Sequence, residues 1–162
     1  MNKTDIYKFL DDNDINYEVI EHKPVFNMNE LIDLNLPSLE YTAKNIFLKD
    51  DKKENYYLIT VKNFKKVDLK KFKSVNNTRH LSFASDEELE NIMKLKSGSV
   101  SPMGLLNDEE LKVVFYLDHE FLNGDSIIGV HPNDNMATIL IKVDDLIKII
   151  EQHGNKVNIV SL

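Results

Sequence analysis

The sequence predicts an α+β fold in which helices flank a mixed, largely antiparallel sheet. Strand-like segments follow one another with short connections, as they do in hairpins, and helix-like segments are interspersed among them. The length agrees with this fold class, because a chain of 162 residues and 18.8 kDa is close to the usual size of one domain and can bury a substantial core. No internal repeat, linker or low-complexity tract divides the chain.

The first forty residues predict a helix, a strand and a second, short helix. Thr4 is a candidate N-cap for a helix whose apolar residues recur on one face. Residues 17–22 alternate loosely between apolar and polar side chains, which is typical of a strand. Residues 29–34 precede a proline, and we expect a short helix there.

The middle of the chain predicts a hairpin and two helices. Residues 45–49 and 56–61 are β-prone segments on either side of a charged turn, which indicates an antiparallel hairpin. Residues 68–72 have the pattern of a short helix. Ser85 opens a capping box with the glutamate three residues later, and we expect a helix from there through Leu95.

The last third of the chain predicts three strands and a closing helix. The strand-like segments are residues 111–117, 126–130 and 137–141, and the last two are close enough to pair. Residues 144–151 have an amphipathic helical pattern that a glycine at position 154 ends.

Charge is unevenly distributed along the chain. The formal net charge of −7 argues against a protein that coats nucleic acid without specificity. Residues 41–80 nevertheless hold eleven Lys and Arg against four Asp and Glu, with the excess concentrated between Lys62 and Lys73. This region is either a solvated lysine face or a small patch for a phosphate backbone, and charge alone leaves both open.

The composition also bears on the cellular compartment. The sequence has no cysteine, which excludes disulfides, thiolate nucleophiles and Cys-ligated metal sites and fits a reducing compartment. No apolar run approaches the ~18–20 residues that cross a bilayer, and the polar first residues contain no secretory signal pattern. We therefore expect a soluble, cytoplasmic protein with no membrane partner.

Generic catalytic motifs are absent, but one lysine has an unusual position. There is no GxGxxG, GxxxxGK[ST], HExxH or GxSxG pattern, and no two of the five histidines are spaced for a helical metal site. If residues 42–48 form a strand, Lys44 shares a face with Ile46 and Leu48. A buried ammonium is costly unless it reaches water or meets an anion. Lys44 is therefore either a snorkelling side chain or the anchor of an anionic ligand.

A second pattern is a loop rich in glycine, serine and proline. Residues 98–132 contain four of the five glycines and two of the four prolines. Within them, residues 98–102 can direct several N–H groups at one point, and Ser99 and Ser101 can add hydroxyl donors. Such a nest suits an anion or a developing oxyanion, although an ordinary helix C-cap and turn would use the same residues.

A third pattern is His131, which lies between strand-like residues and Pro132. Most isolated histidines are structural, but a histidine held this rigidly beside a glycine- and proline-rich segment is also positioned for binding or proton transfer.

Taken together, these patterns resemble the YbaK/prolyl-tRNA synthetase-associated editing domain family. The resemblance spans nearly the whole chain and depends on the order and spacing of the segments rather than on any one motif. The segments that carry it are residues 22–26, 44–48, 56–59, 66–69, 81–85, 98–108, 129–133 and 137–138. Within the family, the long 98–108 stretch and the Val-His-Pro-Asn run are most similar to the free-standing deacylases that remove alanine from mischarged tRNA(Pro).

The resemblance implies a single editing domain over residues 1–162, with a barrel-like sheet, and it implies roles for particular residues. Lys44 would hold the phosphate or ester end of the terminal adenosine, the 98–102 loop would stabilise the oxyanion, and His131 would contact the amino group or organise water. The implied catalytic residues are Lys44, Gly98, Ser99, Val100, Ser101, Pro102 and His131. The implied substrate-binding residues are Asn45, Met28, Leu31 and Val130, the last three as apolar walls.

The resemblance also implies the chemistry and the partners. Hydrolysis would use a water, assisted by the substrate's own 2′-hydroxyl, with no protein nucleophile, metal or cofactor. The partner would be the acceptor end of tRNA(Pro), with prolyl-tRNA synthetase as a second candidate and a monomer as the favoured state. The basic region would then bind the acceptor stem through Lys62, Lys65, Lys66 and Lys70.

Three alternatives stay open from the sequence. The same fold could act on Cys-tRNA(Pro) or another aminoacyl-tRNA, because pocket volume decides this. The chain could be a non-catalytic sensor of aminoacyl-tRNA or of an amino acid, although the intact Lys44, 98–102 loop and His131 favour an enzyme. It could also be a plain amino-acid-binding domain, which the basic region disfavours.

Overall fold

In the computed structural model, which describes residues 1–24, 30 and 39–162, eight strands form two sheets. The strands are β1 (Tyr17–Glu21), β2 (Ala43–Asp50), β3 (Tyr56–Lys62), β4 (Leu81–Phe83), β5 (Val113–Asp118), β6 (Ile127–Val130), β7 (Ala137–Lys142) and β8 (Val157–Val160). The described α-helices are α1 (Lys3–Asp12), α2 (Leu69–Asn76), α3 (Asp86–Met93) and α4 (Val143–His153). Short 3-10 helices lie at Leu39–Tyr41, Pro102–Asn107 and His119–Leu122.

The smaller sheet has the order β1-β7-β6 and is antiparallel throughout. The larger sheet has the order β4-β2-β3-β5-β8, in which β2 pairs antiparallel with β3 and β4, whereas β3–β5 and β5–β8 are parallel. The predicted α+β fold with mixed, largely antiparallel pairing is therefore confirmed. The described strands do not close into a barrel. Instead, an isolated bridge between Thr42 and Gly129 joins the two sheets.

The larger sheet is buried on both faces. One face shares the main core with the smaller sheet and with helices α1, α3 and α4, around side chains such as Phe115 and Ile139. The other face packs under helix α2 in a second cluster that contains Leu48, Val61 and Phe72. Since side chains alternate along a strand, neighbouring residues of β2 point into different cores.

Local sequence signals explain where the helices begin and end. Helix α1 is capped by Asn2 rather than by the predicted Thr4, because Asn2 and Asp5 form a reciprocal capping box with two hydrogen bonds of 2.9 Å. The capping box predicted at Ser85 is confirmed at the start of α3. That helix ends at Met93, before the predicted Leu95, because the next residue adopts the left-handed conformation.

The predicted hairpin is formed by β2 and β3, and the predicted C-terminal strand pair is formed by β6 and β7. The short strands β4 and β8 and the parallel pairing of β3, β5 and β8 were not predicted. The helix expected over residues 29–34 lies outside the described residues, apart from position 30, which is helical. Among the described helices, none is long and apolar enough to span a membrane.

Candidate active site

The two sheets meet where β2 begins, and a glycine makes the contact possible. The backbone of Gly129 in β6 bridges to Thr42, directly before β2. A Cβ at position 129 would lie 3.4 Å from the Thr42 Cα and 3.2 Å from the Leu140 side chain, so these neighbours would have to shift slightly to admit a side chain. This close approach brings the start of β2 beside the end of β6, which leads directly to His131.

Asn45 connects β2 to the 98–102 loop. Its side-chain oxygen accepts a 2.5 Å hydrogen bond from the hydroxyl of Thr60, the residue opposite it on β3. Its amide nitrogen donates a 3.2 Å hydrogen bond to the carbonyl of Val100. Because Thr60 is fully buried, the amide of Asn45 is held in one orientation and in turn holds the loop.

The 98–102 loop is fixed at both ends. It begins at Gly98, whose φ of +89° lies in the left-handed region that favours glycine. Near its other end, the fully buried Ser101 donates a 2.5 Å hydrogen bond from Oγ to the carbonyl of His131 and accepts one of 3.1 Å from the N–H of Met103. The structure therefore places the Ser101 hydroxyl as an anchor between the loop and the β6–β7 connection.

The backbone amides of the loop differ in what they contact. The N–H of Ser99 donates to the carbonyl of Lys96 at 3.0 Å, as in a turn. The N–H groups of Val100 and Ser101 have no acceptor among the residues that the structure describes. Two adjacent amide donors in a fixed loop can stabilise an oxygen that gains negative charge.

His131 is held as a neutral base. Its Nδ1 lies 2.8 Å from the carbonyl of Ala137, and because a carbonyl only accepts, Nδ1 must carry the proton. Burial lowers the pKa of His131, and this effect outweighs the opposing influence of the Ala137 carbonyl. Burial thus favours the neutral form of the ring, whose Nε2 has no partner in the described part of the chain.

A second histidine, for which the sequence predicts no functional role, lies beside the first. The rings of His22 and His131 are 6.1 Å apart between centroids, and His22 further lowers the pKa of His131. His22 Nε2 lies 2.8 Å from the hydroxyl of Thr138, and its Nδ1 lies 2.8 Å from the carbonyl of Lys23. Within the described ranges, no group of three His, Asp or Glu side chains could hold a metal ion. Only the pairing of β1 with β7 reveals this neighbourhood, because 109 positions separate the two histidines.

Lys44 lies on the opposite face of β2 from Asn45. It is paired with Val61 on β3. As predicted, Lys44 shares its face of the strand with Ile46 and Leu48, and this face packs in the second apolar cluster. The half-buried ammonium donates a hydrogen bond to the carbonyl of Lys65. Burial, and to a lesser extent the charge of Lys66, lowers the pKa of Lys44. The structure thus brings together Asn45, the 98–102 loop and His131, but it directs the Lys44 side chain away from them.

The predicted pocket walls and RNA contacts occupy different environments. Val130 is buried in the main core, with 2% of its surface exposed, whereas Met28 and Leu31 lie outside the described residues. Of the four predicted RNA-binding lysines, Lys66 and Lys70 are exposed, whereas Lys62 is half-buried with its Nζ 5.8 Å from the centroid of the Phe121 ring.

Lys65, the fourth of these lysines, is placed in ion pairs. Its ammonium lies 2.7 Å from the carboxylate of Asp118 and 3.2 Å from that of Glu120. The hydrogen bond that the Lys65 ammonium donates to Asp118 is the main reason that the pKa of Lys65 is raised. Lys65 thus holds the end of β3 to the end of β5.

The chain is similar to known proteins along most of its length. The aminoacyl-tRNA editing domain model matches residues 22–149. The prolyl-tRNA editing protein ProX of Acetoanaerobium sticklandii is 39% identical over 153 residues, which cover 94% of this chain and 93% of that protein. The prolyl-tRNA synthetase associated domain-containing protein 1 of Mus musculus is 32% identical over 149 residues, with coverage of 87% and 85%.

The fold is also similar to that of a solved structure. A crystal structure of a candidate trans-editing enzyme for prolyl tRNA synthetase matches with a TM-score of 0.66 and 18% identity, over 90% of this chain and 87% of that chain. The extent of the domain match and the identity to the relatives agree with the resemblance found in the sequence. The chain belongs to the aminoacyl-tRNA editing domain family.

Proposed function

We propose that this protein is a trans-editing deacylase that hydrolyses the ester of mischarged Ala-tRNA(Pro), releasing alanine and free tRNA. The observation that carries the proposal is the 98–102 loop, which is tied to Asn45 on one side and to His131 on the other and has two amide donors without described partners. The similarity to ProX, a prolyl-tRNA editing protein, supports tRNA(Pro) as the substrate.

The loop and the histidine supply what ester hydrolysis needs. A water attacks the aminoacyl carbonyl carbon, and negative charge develops on the carbonyl oxygen. The N–H groups of Val100 and Ser101 donate hydrogen bonds to that oxygen, and loss of one such donor typically lowers a rate by about 10²–10³. The C–O bond to the terminal ribose then breaks, and the ribose oxygen takes up the proton that the water releases. The neutral Nε2 of His131 accepts a hydrogen bond from the substrate amino group or from the water.

Lys44 serves as the anion-binding residue in this proposal. Its ammonium is half-buried, lies close to the charge of Lys66, and has no carboxylate partner among the described residues. The carbonyl of Lys65 satisfies one of its three donors without neutralising its charge. A phosphate of the tRNA 3′ end, placed at the start of β2, would supply the missing negative charge.

The acceptor stem would lie along helix α2. This helix covers the Lys44 face of the larger sheet, and Lys66, Lys70 and Lys73 on and before it are exposed. A groove of about 800 Å³ beside the helix is lined by Lys70, Lys73 and His80 together with polar side chains and two leucines, and none of its described lining residues is acidic. Such a surface attracts a phosphate backbone in spite of the net charge of −7 on the whole chain.

Preference for alanine follows from size. A synthetase pocket shaped for proline cannot strongly exclude alanine, because each missing methylene is worth only about 1–3 kcal/mol. A second site that admits alanine and is too small for proline would remove the error and spare the correct product. Met28, Leu31 and Val130 are the proposed walls of this site.

The test is the deacylation of Ala-tRNA(Pro), Pro-tRNA(Pro) and Cys-tRNA(Pro) by the wild type, by Lys44→Ala and by Lys148→Ala. Lys148 is an exposed lysine of helix α4 and serves as the matched control. We expect the wild type to deacylate Ala-tRNA(Pro) alone. This activity should be abolished in Lys44→Ala and unchanged in Lys148→Ala. Release of cysteine instead would keep the reaction and change its specificity. Tight binding without turnover of any substrate would contradict the proposed deacylase activity and favour a non-catalytic sensor.

A further inference from the structure

An apolar ring is exposed within the basic region. Phe64 is 54% exposed and lies in the turn between β3 and helix α2. Lys62 precedes it by two residues, and the exposed Lys66 follows it by two. An exposed aromatic ring flanked by cations is the combination that binds single-stranded nucleic acid, because the ring stacks on a base while the cations meet phosphates.

The turn that carries Phe64 is held rigidly. The N–H of Lys65 donates to the carbonyl of Lys62 at 3.0 Å, and the N–H of Asn63 donates to the carbonyl of Thr42 at 3.1 Å. The carbonyl of Lys65 also accepts the ammonium of Lys44, and the side chain of Lys65 is ion-paired. A base that stacks on Phe64 would therefore meet a platform that is already ordered, which lowers the entropic cost of binding.

A cavity lies against this ring. It has a volume of about 400 Å³, within the range of about 300–1,000 Å³ that is common for small-ligand sites. Phe64, Lys62 and Leu39 line it together with Asn63, two glutamates, Glu40 and Glu120, and Lys65, which is paired with Glu120. The carboxylates can accept hydrogen bonds from an exocyclic amino group, and the ring and Leu39 offer apolar surface to the flat face of a base.

We propose that Phe64 is a stacking platform for the terminal adenine of the tRNA 3′ end, which would occupy this cavity. The inference depends on the proposed function, since it names where part of the same substrate would bind. The Phe64 turn continues from the end of β3 beside the start of β2, so the base would lie next to Lys44 and to the Thr42–Gly129 junction. One end of the terminal nucleotide would thus be fixed by stacking while its ester reaches the 98–102 loop.

The experiment uses Phe64→Ala, Phe64→Leu and Phe64→Tyr. Leucine keeps an apolar side chain without a π-face, and tyrosine restores the ring. Phe83→Ala is the control, because Phe83 is 68% exposed on the edge strand β4. We expect the alanine and leucine variants to raise KM for Ala-tRNA(Pro) by about tenfold with kcat nearly unchanged, as for loss of one base–aromatic stack. The tyrosine variant and Phe83→Ala should behave as the wild type.

A second readout reports stacking directly. A tRNA(Pro) acceptor minihelix with 2-aminopurine in place of the terminal adenine should lose fluorescence on binding the wild type, and the quenching should be much weaker with Phe64→Leu. Equal quenching by Phe64→Leu, or an equal rise in KM for Phe83→Ala, would overturn the platform. If the wild type deacylates none of the aminoacyl-tRNAs, the proposed function fails. If it does so and Phe64→Ala has the wild-type KM, only the platform fails.

Discussion

The hydroxyl of Ser101 donates a 2.5 Å hydrogen bond to the backbone carbonyl of His131, thirty residues further along the chain. The same oxygen accepts a hydrogen bond from the N–H of Met103, so both of its hydrogen-bonding functions are used. This contact connects the loop that carries the two available amides to the connection that carries the histidine. The relative placement of the two groups therefore depends on a buried side chain that need not touch substrate.

Ser101→Ala should lower both activity and stability. The substitution leaves the carbonyl of His131 without its donor in a buried setting, a loss of about 1–2 kcal/mol in the free energy of unfolding. The loop would also be less well fixed, and we expect kcat to fall more than KM rises. Urea unfolding and steady-state deacylation measure the two effects. Ser99→Ala is the control for stability, since the half-buried Ser99 side chain has no hydrogen bond to the described residues. An active, fully stable Ser101→Ala protein would contradict this role.

His131 can be tested by separating its two nitrogens. In His131→Asn the side-chain amide can still donate to the Ala137 carbonyl, as Nδ1 does at 2.8 Å, but the acceptor at Nε2 is lost. We expect this variant to keep the melting temperature and to lose at least tenfold in deacylation rate, within the range for a lost acid–base group. His131→Ala should lower both the melting temperature and the deacylation rate. If His131→Asn is as active as the wild type, the histidine is structural.

The proposed size selection makes a prediction about the pocket walls. Met28→Ala and Leu31→Ala should each admit bulkier aminoacyl groups, because removing side-chain volume enlarges a site that excludes by size. The measurement is the ratio of kcat/KM for Ala-tRNA(Pro) to that for Pro-tRNA(Pro), which should fall in both variants. Unchanged selectivity in both would remove these two residues from the pocket.

The sequence predicts those parts of the fold that depend on local signals. The capping box at Ser85 and the hairpin of β2 and β3 were both identified because their residues are close together in the chain. The parallel pairing of β3 with β5 was not predicted, since Tyr56 pairs with Val113 and no local pattern specifies a partner so distant. The three-residue strand β4 is too short for a periodic pattern to identify.

In the candidate site too, the sequence predicts what depends on local signals and not what depends on distant partners. Strand alternation correctly places Lys44 on the face of Ile46 and Leu48, and that rule already implies that Asn45 points into the other core. What the sequence could not supply is the hydroxyl of Ser101 as an anchor, because its acceptor is a backbone carbonyl on another element. A serine in a loop gives no indication of which carbonyl will lie beside it after folding.

Replacement of Lys65 and of Lys66 by methionine should affect different properties, the first stability and the second substrate binding. Lys65→Met removes the partner of the Asp118 carboxylate, whose side chain is only 2% exposed, and should lower the free energy of unfolding by about 2 kcal/mol. Lys66→Met removes an exposed charge and should leave stability unchanged while raising KM for Ala-tRNA(Pro) several-fold at low salt. Thermal unfolding and a salt series of KM distinguish the two. An equal loss of stability in both variants would show that the ion pair of Lys65 with Asp118 does not stabilise the fold.

Glu88 should make stability depend on pH in the acid range. Its carboxylate accepts hydrogen bonds from Lys49 at 2.7 Å, from Tyr56 at 2.6 Å and from the N–H of Ser85 at 3.0 Å. Burial acts to raise the pKa of Glu88, but these hydrogen bonds outweigh it and lower the pKa to about 2, from the ordinary 4.5. Because the folded pKa is depressed, the stabilisation is fully present above pH 4.5 and is lost as the pH falls toward 2.

The measurement is the free energy of unfolding of wild type and Glu88→Gln at pH 7 and at pH 3. At about 1.4 kcal/mol per pKa unit, and after allowance for screening by solvent, we expect the wild type to be more stable by about 2 kcal/mol at pH 7. Most of this difference should disappear at pH 3, where the unfolded wild-type chain gains a proton that the folded protein does not bind. Glu87→Gln, an exposed neighbour in the first turn of α3, should show no such change. A difference between wild type and Glu88→Gln that is the same at both pH values would mean that packing, rather than the charge of Glu88, holds helix α3 to the sheet.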